Sequence, residues 1–514
     1  MTAKPNILVV MADQMAAFAL PPYGQPLVRA PAIAALAERG VVFDAAYCAF
    51  PLCAPSRFAM LTGRLASAIG AYDNAAELPA AVPTVAHYLR RLGYRTAAAG
   101  KLHFIGPDQR HGFEERLTTD IYPADFGWTP DWAAGDERLE WHHSLRNVVE
   151  AGPCARSLQI DFDDEVTFSA ERWLYDTARD DDDRPFFFLV SFSHPHDPYT
   201  ISAPYWDRYD HAAIDPPRLP PVPPEARDPH SRRLWANYDG GRHPVTEAEV
   251  RNARHAYYGM ISYVDDRLAG LLAVLEATGR TENTVVVLTS DHGDMLGERG
   301  MWFKMSFFEP SVRVPLIVAA PARFAPRRVP RPVSLLDLAP TLVALAGGGR
   351  EDFVDPLDGA SLMPVLEGRA EGAEGPVLAE YLAEATSAPC VMVRRGRHKA
   401  ILGAEDPPML FDLARDPDET EDLAGRQAHA LTLAALTEIA AARWDFASLS
   451  AAVRASQRRR RLVFDALMTG ARTLWDYAPP GDPARAYIRN LGTLYATEAR
   501  ARLPRRPPAT TEER

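Results

Sequence analysis

Continuous apolar runs alternate with amphipathic helical segments over the first 370 residues of the chain. These runs lack the alternate polar positions of a half-exposed strand, so they are typical of parallel strands that are buried on both faces. The pattern predicts strands at 7–12, 41–43, 94–100, 185–193 and 284–288, and helices at 31–39, 60–65, 83–92 and 247–277. Such an alternation indicates an α/β fold, in which helices cover both faces of a mostly parallel sheet.

The rest of the chain has a different pattern. Short strand-like runs separated by turns occupy 377–413, which predicts a small antiparallel sheet, and a helix is expected at 431–442. In the tail, the run Arg458–Arg461 is typical of a solvated helical face, with a contact to another subunit as the second interpretation. We therefore divide the chain into a catalytic domain at 1–370, a small C-terminal α+β domain at 371–445 and a helical tail at 446–514.

Polar side chains follow directly after four of the predicted strands. They are Asp13, Lys101 with His103, His196, and Asp291 with His292. Ligands of open α/β sheets bind outside the carboxyl ends of the strands, so these groups are expected to share one site. Carboxylate oxygens suit Ca²⁺ or Mg²⁺, and a histidine among them leaves Mn²⁺ or Zn²⁺ open. A single acid after a strand is often only a turn residue, and it is the joint occurrence that indicates a site.

The turn Cys53-Ala54-Pro55-Ser56-Arg57 carries the most distinctive chemistry of the chain. Pro55 restricts the backbone, so Cys53 is expected just before a rigid turn and at the N-terminus of the following helix. Unpaired N–H groups at that position favour anions, and Arg57 adds a positive charge one helical turn further on. This arrangement suits a nucleophile or an electrophile beside an oxyanion. The plainer interpretation is a buried structural cysteine.

Composition and charge argue against several classes of protein. The 514-residue chain is 47% hydrophobic and 24% charged, which is ordinary for a globular protein. Its formal net charge of −12 argues against nucleic acid as the main partner. Four cysteines are too few and too scattered for a disulfide framework or a zinc ribbon. The apolar run at 7–12 is too short to span a bilayer, and we expect a cytoplasmic protein without a membrane partner.

The pentapeptide at 53–57 resembles the signature of the type I sulfatases. The resemblance implies an alkaline-phosphatase-like sheet, a smaller C-terminal sheet domain and a divalent metal, with Ca²⁺ first and Mg²⁺ or Mn²⁺ as alternatives. It also implies that a formylglycine-generating enzyme oxidises Cys53 to formylglycine. Matched motif by motif, the catalytic residues would be Cys53, Arg57, Lys101, His103, His196 and Lys304, and the metal ligands Asp13, Cys53, Asp291 and His292. Gln14 stands where the family often has a second acid.

Longer stretches resemble the choline-sulfatases within this family. They are residues 72–77, 111–130 and 293–300, together with His292 after Asp291. The resemblance implies choline sulfate as the substrate, a homodimer or homotetramer, and a trimethylammonium pocket formed by Asn74, Trp128, His143, Glu384 and Tyr495. The subfamily has an acid where Tyr495 stands, and an aromatic face alone holds a cation less strongly than a carboxylate with an aromatic.

The resemblance also implies a mechanism, in which a hydroxyl of hydrated formylglycine attacks sulfur. Arg57, Lys101 and Lys304 would stabilise the sulfate oxygens. His196, or Lys304 as the second candidate, would protonate the leaving alcohol. His103 would take a proton when sulfate is released, which restores the aldehyde.

Three other functions fit the same residues. The first is hydrolysis of phosphonate or phosphate monoesters, because the pocket would also bind a phosphoryl group. The second is hydrolysis of another alkyl or aryl sulfate. The third, from a different class, is a non-catalytic metal- or anion-binding protein in which Cys53 keeps its thiol.

Overall fold

The computed structural model describes residues 4–134, 138–370 and 375–481. In these ranges the strands are β1 (Asn6–Ala12), β2 (Val41–Phe43), β3 (Ala46–Tyr47), β4 (Arg95–Gly100), β5 (Glu115–Arg116), β6 (Gly152–Cys154), β7 (Phe186–Phe192), β8 (Thr200–Ser202), β9 (Thr284–Ser290), β10 (Arg313–Val314), β11 (Leu316–Ala319), β12 (Arg327–Val329), β13 (Val333–Ser334), β14 (Val377–Tyr381), β15 (Cys390–Arg395), β16 (His398–Gly403) and β17 (Met409–Asp412). The α-helices in the same ranges are α1 (Pro31–Arg39), α2 (Cys53–Thr62), α3 (Ala66–Ile69), α4 (Val85–Arg91), α5 (Arg146–Val149), α6 (Leu158–Arg179), α7 (Ala203–Trp206), α8 (Pro229–Asn237), α9 (Glu247–Ala277), α10 (Glu309–Val312), α11 (Leu338–Leu345), α12 (Met363–Leu366), α13 (Ala430–Arg443) and α14 (Phe446–Leu467).

The largest sheet has eight strands in the order β12, β2, β11, β9, β1, β7, β4 and β5. Strand β1 lies between β7 and β9 and is parallel to both, and β4 continues the parallel set beyond β7. Strand β11 is the exception, since it runs antiparallel to β9 and to β2. The predicted mostly parallel sheet is confirmed, and four of the five predicted strands are its adjacent parallel members.

The carboxyl ends of these four strands lie along one edge of the sheet. Ala12 is in register with Ser290 on one side and with Phe192 on the other. Gly100 is in register with Ser191 on the next strand. The polar residues that follow each strand are therefore brought to one place, as the sequence predicts.

Helix α9 packs its apolar face into the core and has the bounds 247–277 that the sequence predicts. A capping box starts it, because the Thr246 hydroxyl accepts from the Glu249 N–H and the Glu249 carboxylate accepts from the Thr246 N–H. The predicted apolar stripe is buried in full: Tyr257, Met260, Ile261, Val264, Leu268, Leu271 and Leu275. Neither α9 nor any other helix of the described ranges is long and apolar enough to cross a membrane.

Helix α2 begins earlier than the sequence predicts. The expected helix at 60–65 is instead a helix that starts at Cys53 and ends at Thr62, before Gly63 in the left-handed region with φ 69°. Pro55 is tolerated because the first turn of a helix has N–H groups without intrahelical acceptors. Every residue of α2 is buried, so the N-terminus that carries Cys53 lies inside the protein.

The C-terminal part begins with the predicted antiparallel sheet. Strands β14 to β17 pair in sequence order, and α13 packs against β15 and β16. Helix α14 follows, and here the prediction for Arg458–Arg461 is wrong in part. Arg458 and Arg459 are exposed, but Arg460 is buried and pairs with Asp73 of the catalytic part.

Candidate active site

Four groups able to bind a metal ion converge at the carboxyl edge of the sheet. The ligand atoms of Asp13, Cys53, Asp291 and His292 all lie within 4.8 Å of one another, and all four side chains are buried. The His292 Nε2 atom lies 3.2 Å from the Cys53 Sγ and 3.6 Å from the Asp13 Oδ1. Two carboxylates, an imidazole and residue 53 form a donor set that fits a divalent ion. The residues predicted as metal ligands are thus brought together.

Two cations neutralise Asp13, whose carboxylate has no exposed surface. The Lys101 Nζ contacts Asp13 Oδ2, and Arg57 Nη2 lies 3.3 Å from the same oxygen. Burial alone would raise the pKa of this carboxyl, but Lys101, His196 and Arg57 outweigh burial and hold the pKa well below its ordinary value. Asp13 is therefore ionised at neutral pH, as a metal ligand has to be.

Arg57 is fixed between the sheet and the cluster. Its Nε donates to Asp291 Oδ2 at 2.8 Å, and its Nη1 donates to Ser191 Oγ at 2.8 Å. The side chain is buried, and Ser191 belongs to the parallel strand β7. Arg57 thus holds a rigid positive charge one helical turn from Cys53.

Lys304 and His196 are in direct contact. The Lys304 Nζ lies 2.6 Å from His196 Nε2, and both side chains are buried. The Nδ1 atom of His196 lies 2.6 Å from the backbone carbonyl oxygen of Asp197, which can only accept, so Nδ1 carries a proton. In a neutral imidazole Nε2 then accepts, and the proton between the two side chains lies on Lys304.

His103 is buried beside Tyr122, and neither of its ring nitrogens has a hydrogen-bond partner among the described residues. Burial, with the charges of Lys101 and Arg57, lowers the pKa of His103 well below its ordinary value. The neutral ring is free to accept a proton. Tyr122 lies 5.3 Å from the His103 ring and 4.4 Å from the Lys101 Nζ, measured from its ring centre. Sequence reasoning did not single out Tyr122, although it belongs to the stretch 111–130.

Gln14 uses its side chain for hydrogen bonds outside the metal-ligand set. Its Oε1 accepts from Lys304 Nζ at 2.6 Å, and its Nε2 donates to Asp294 Oδ2 at 2.7 Å. Asp294 is buried and was not predicted as a site residue, although it lies in the stretch 293–300. The position where a second acid was expected thus contacts a catalytic candidate, Lys304.

Comparisons with known proteins agree with this geometry. A family model described as "Sulfatase" matches residues 5–348, and one described as "Choline sulfatase enzyme C terminal" matches residues 451–503. A choline-sulfatase from Rhizobium meliloti (strain 1021) is 46% identical over 511 residues, which covers 98% of this chain and 99% of that protein. The chain belongs to the sulfatase family.

Solved structures show the same architecture as this sulfatase. The phosphonate monoester hydrolase from Silicibacter pomeroyi superimposes with a TM-score of 0.68 at 25% identity, covering 85% of this chain and 94% of that one. The corresponding enzyme of Agrobacterium radiobacter gives 0.67 at 24% identity, with 87% and 96% covered. At that level of identity the second likeness shows the fold alone.

Trp128 and His143 form an aromatic wall beside the catalytic candidates of the sulfatase. The Trp128 ring lies 6.0 Å from the His103 ring, and the His143 ring lies 5.5 Å from the His196 ring, centre to centre. A contact of 3.2 Å between His143 Nδ1 and Asp197 Oδ2 fixes the second ring. Aromatic faces of this kind attract a quaternary ammonium group.

Asn74, also predicted for the choline pocket, contacts the turn of Cys53. Its Oδ1 accepts from the Ala54 N–H at 2.9 Å. This hydrogen bond satisfies one of the unpaired donors at the start of helix α2. Asn74 therefore holds the position of Cys53.

Glu384 lines a cavity of about 320 Å³, together with Trp141 and His142. Its side chain is buried, and within the part of the chain that the structure describes its Oε2 has no hydrogen-bond partner. Burial and the nearby Asp73 raise the pKa of Glu384 to about 7. Trp141 stacks on Trp128 at 6.1 Å, and the Trp128 ring in turn lies 6.0 Å from the His103 ring. The fifth predicted pocket residue, Tyr495, lies outside the described residues.

Proposed function

We propose that this sulfatase hydrolyses choline-O-sulfate to choline and sulfate, after Cys53 has been converted to formylglycine. One arrangement supports this function most directly. Arg57, Lys101 and Lys304 bring three cations to the buried pocket of residue 53, and the buried Glu384 is near enough to Lys304 for the two charges to interact. A sulfate fits the first group of charges, and a trimethylammonium group fits the carboxylate and the aromatic wall.

The proposed conversion of Cys53 replaces its Cβ–S bond with a C=O bond. A formylglycine-generating enzyme is the proposed partner and dioxygen the oxidant. Two electrons come from the Cβ of residue 53 and two from an external thiol, so dioxygen supplies the aldehyde oxygen and one water, and the sulfur leaves as sulfide. The hydrate of the aldehyde has two hydroxyls on one carbon, so one can attack and the other can later expel sulfate. A serine or cysteine side chain has no second hydroxyl and cannot release its ester in this way.

Asp13, Asp291, His292 and the oxygen of residue 53 would hold a divalent ion, for which we propose Ca²⁺ ahead of Mg²⁺ or Mn²⁺. The buried carboxylates and the neutral imidazole support this assignment. When bound, such an ion supplies positive charge that lowers the pKa of a hydroxyl and stabilises sulfate oxygens.

In the first step a hydroxyl of residue 53 loses its proton to solvent and attacks sulfur, and the bond from sulfur to the choline oxygen breaks. The electron pair of that bond stays on the choline oxygen, which takes a proton from the protein. The proton between Lys304 and His196 lies on the lysine, so we propose Lys304 as the donor and His196 as the group that shares its charge. A proton from solvent later restores the ammonium form of the donor. Arg57 and Lys101 hold the sulfate oxygens.

In the second step the sulfate ester of residue 53 breaks down. The remaining hydroxyl loses its proton, the carbon–oxygen bond to sulfate breaks, and sulfate leaves with the electron pair. His103 is the proposed base, because its ring is neutral and no described residue forms a hydrogen bond with it. Water then hydrates the aldehyde, so each cycle consumes one water and yields choline, sulfate and a proton.

Hydrolysis of phosphonate or phosphate monoesters is the second candidate. It rests on the two solved structures with this fold that are phosphonate monoester hydrolases. Three cations would hold a phosphoryl group as well as a sulfate. The buried carboxylate of Glu384 favours choline sulfate, because it attracts the cationic choline group and would not attract a neutral alcohol.

The assembly and location are proposals of the same kind. We propose a cytoplasmic homodimer or homotetramer, divided at 1–370, 371–445 and 446–514. All four cysteines are free, which agrees with a reducing compartment. Leu431 on α13 and Leu462 on α14 are 88% and 71% exposed, and in the proposed assembly a second subunit would cover these side chains. Light scattering of the purified protein would measure the assembly.

The test compares three esters with one preparation. Sulfate release from choline sulfate and from 4-nitrophenyl sulfate, and alcohol release from a phenyl phosphonate ester, are measured together with the mass of the peptide that contains residue 53. We expect formylglycine at this position and the highest kcat/KM for choline sulfate. An intact thiol in protein from its native host would favour the binding protein, and a preference for the phosphonate would favour the second candidate.

A further inference from the structure

We propose that Gln14, Asp294 and Tyr199 form a positioning chain that aims the ammonium group of Lys304 at the oxygen of the leaving alcohol. This inference rests on the proposed sulfate-ester hydrolysis and deepens it. All three side chains are completely buried and belong to separate parts of the chain. None of them is in the predicted metal-ligand or catalytic sets.

The backbone of Gln14 is held in one conformation. Its φ of 65° lies in the left-handed region, which costs free energy for a residue with a side chain. Its N–H donates to Asp291 Oδ1 at 3.1 Å, and its carbonyl oxygen accepts from the Tyr257 hydroxyl at 2.6 Å. The amide group of Gln14 therefore projects from a fixed point beside the metal-ligand set.

The amide of Gln14 connects a donor on one side with an acceptor on the other. The Lys304 ammonium can only donate, so it faces Oε1 at 2.6 Å. The Asp294 carboxylate accepts from Nε2 at 2.7 Å. These two partners fix which end of the amide carries oxygen. A carboxylate at position 14 would face that of Asp294 without a proton between them, so glutamine suits this place and an acid does not.

Asp294 is in turn held by donors that carry no charge. Its Oδ2 accepts from the Tyr199 hydroxyl at 2.7 Å, and its Oδ1 accepts from the Leu296 N–H at 2.7 Å. Tyr199 thus fixes Asp294, and Asp294 fixes the amide of Gln14. The chain ends at the ammonium of Lys304.

Lys304 has three N–H donors, and two of them are assigned. One faces Gln14 and one faces His196 Nε2, each at 2.6 Å. No acceptor in the described ranges is assigned to the third, which is left for a ligand, and its direction is set by the first two. A poor leaving group such as choline needs a proton delivered along that direction, whereas a good leaving group such as 4-nitrophenol needs little help.

The experiment measures how the rate depends on the leaving group. Wild type, Gln14→Met and Tyr199→Phe are compared on alkyl and aryl sulfates whose alcohols span a wide pKa range. We expect Gln14→Met to lower kcat about 100-fold for choline sulfate and other alkyl sulfates but less than about tenfold for 4-nitrophenyl sulfate. Tyr199→Phe should show the same trend more weakly. Plots of log kcat against the alcohol pKa become steeper in both variants.

Two controls separate positioning from general damage. Tyr209 is also buried, and its hydroxyl contacts Ser262 at 2.6 Å, so Tyr209→Phe removes a comparable group outside the chain. It should leave the slope unchanged. In a Lys304→Ala background, Gln14→Met should lower kcat for alkyl sulfates little further, because both changes remove the same proton donation by Lys304.

Equal losses on alkyl and aryl sulfates, or additive losses with Lys304→Ala, would overturn the inference. If Gln14→Met does not fold, judged by its thermal transition, the milder Tyr199→Phe decides by the same slope. The comparison of slopes can be made with any series of alkyl and aryl sulfates, so it does not require that choline sulfate is the natural substrate. A wild-type enzyme that releases no sulfate from any ester would instead refute the proposed function.

Discussion

Arg460 donates two hydrogen bonds of 2.7 Å each to the carboxylate of Asp73, although the two residues are 387 positions apart. Asp73 precedes Asn74, which holds the turn of Cys53. The Arg460 Nη1 also lies 3.1 Å from Thr129 Oγ1, directly after Trp128. The C-terminal helix thus connects the turn of the nucleophile to the aromatic wall.

Removing this arginine should therefore weaken both the fold and the choline pocket. We expect Arg460→Ala to lower the free energy of unfolding by about 3–5 kcal/mol, because it leaves a buried carboxylate without its partner. We also expect a higher KM for choline sulfate. Urea unfolding and steady-state kinetics measure the two effects. Arg458→Ala, two positions away on the exposed face, is the control and should change stability by less than about 0.5 kcal/mol. Equal effects of the two variants would contradict the prediction.

Replacing Cys53 by serine should stop turnover without unfolding the protein. Serine has one hydroxyl, so the variant can form the sulfate ester but lacks the second hydroxyl that expels sulfate. We expect release of at most one equivalent of choline and a mass increase that corresponds to one sulfate on residue 53. The thermal midpoint should stay within about 2 °C, since the two side chains are similar in size. Continued turnover at the wild-type rate would disprove the role of Cys53.

Glu384 should make the binding of choline sulfate depend on pH. Burial and Asp73 raise its pKa to about 7, so the carboxyl is neutral below pH 7 and attracts a cation only above it. We expect kcat/KM for choline sulfate to rise about tenfold per pH unit below that pKa and to level off above it. The same ratio measured with 4-nitrophenyl sulfate should lack this step.

Glu384→Gln should remove the pH step and lower kcat/KM for choline sulfate at pH 8. Glu140 is an exposed acid on the same cavity, so Glu140→Gln is the matched control and should keep the step. The free energy of unfolding of the wild type should depend on pH in the opposite sense to kcat/KM and fall as the pH rises. Because the folded pKa of Glu384 is raised, its contribution to stability is full below the unfolded pKa of about 4.3 and is lost as the pH rises through about 7. The glutamine variant should therefore gain stability over wild type only toward high pH.

Chelation of divalent ions should lower both activity and thermal stability. Without an ion, the buried carboxylates of Asp13 and Asp291 lose the positive charge of the metal that their geometry suits. At 100 times its dissociation constant an ion adds about 2.7 kcal/mol, so EDTA should reduce the thermal midpoint by several degrees. Added Ca²⁺ should restore both readouts, and Asp291→Asn should weaken the restoration. Full activity in protein shown by elemental analysis to be metal-free would exclude a metal role.

The elements that could be predicted from the sequence are those with local signals. Strand β1 is a continuous apolar run that ends at Asp13, and α9 combines an apolar stripe with a capping box, so their bounds follow from neighbouring residues. Asp13, Asp291 and His292 could be predicted because they follow strands, and Cys53 because the pentapeptide at 53–57 resembles the sulfatase signature. The start of α2 at Cys53 was missed because Pro55 is compatible with both a turn and the first turn of a helix.

Contacts between distant parts of the chain could not be predicted. Arg460 is one of four consecutive arginines, and nothing in the run distinguishes the member that is buried against Asp73. Gln14 and Asp294 are 280 positions apart, and their hydrogen bond depends on side-chain conformations that only the packed protein fixes. Tyr495 stays a prediction, because it lies outside the described residues.

Cys53 is only 1% exposed, and the whole of its helix is buried. The oxidation of Cys53 that we propose needs a second enzyme to reach this thiol, so it would have to take place before the chain folds around it. A molecule that folds with its thiol intact would be inactive, although it would be as stable as a molecule with an oxidised residue 53. Overproduction should then yield a mixture of oxidised and unmodified protein, and its specific activity should be proportional to the oxidised fraction.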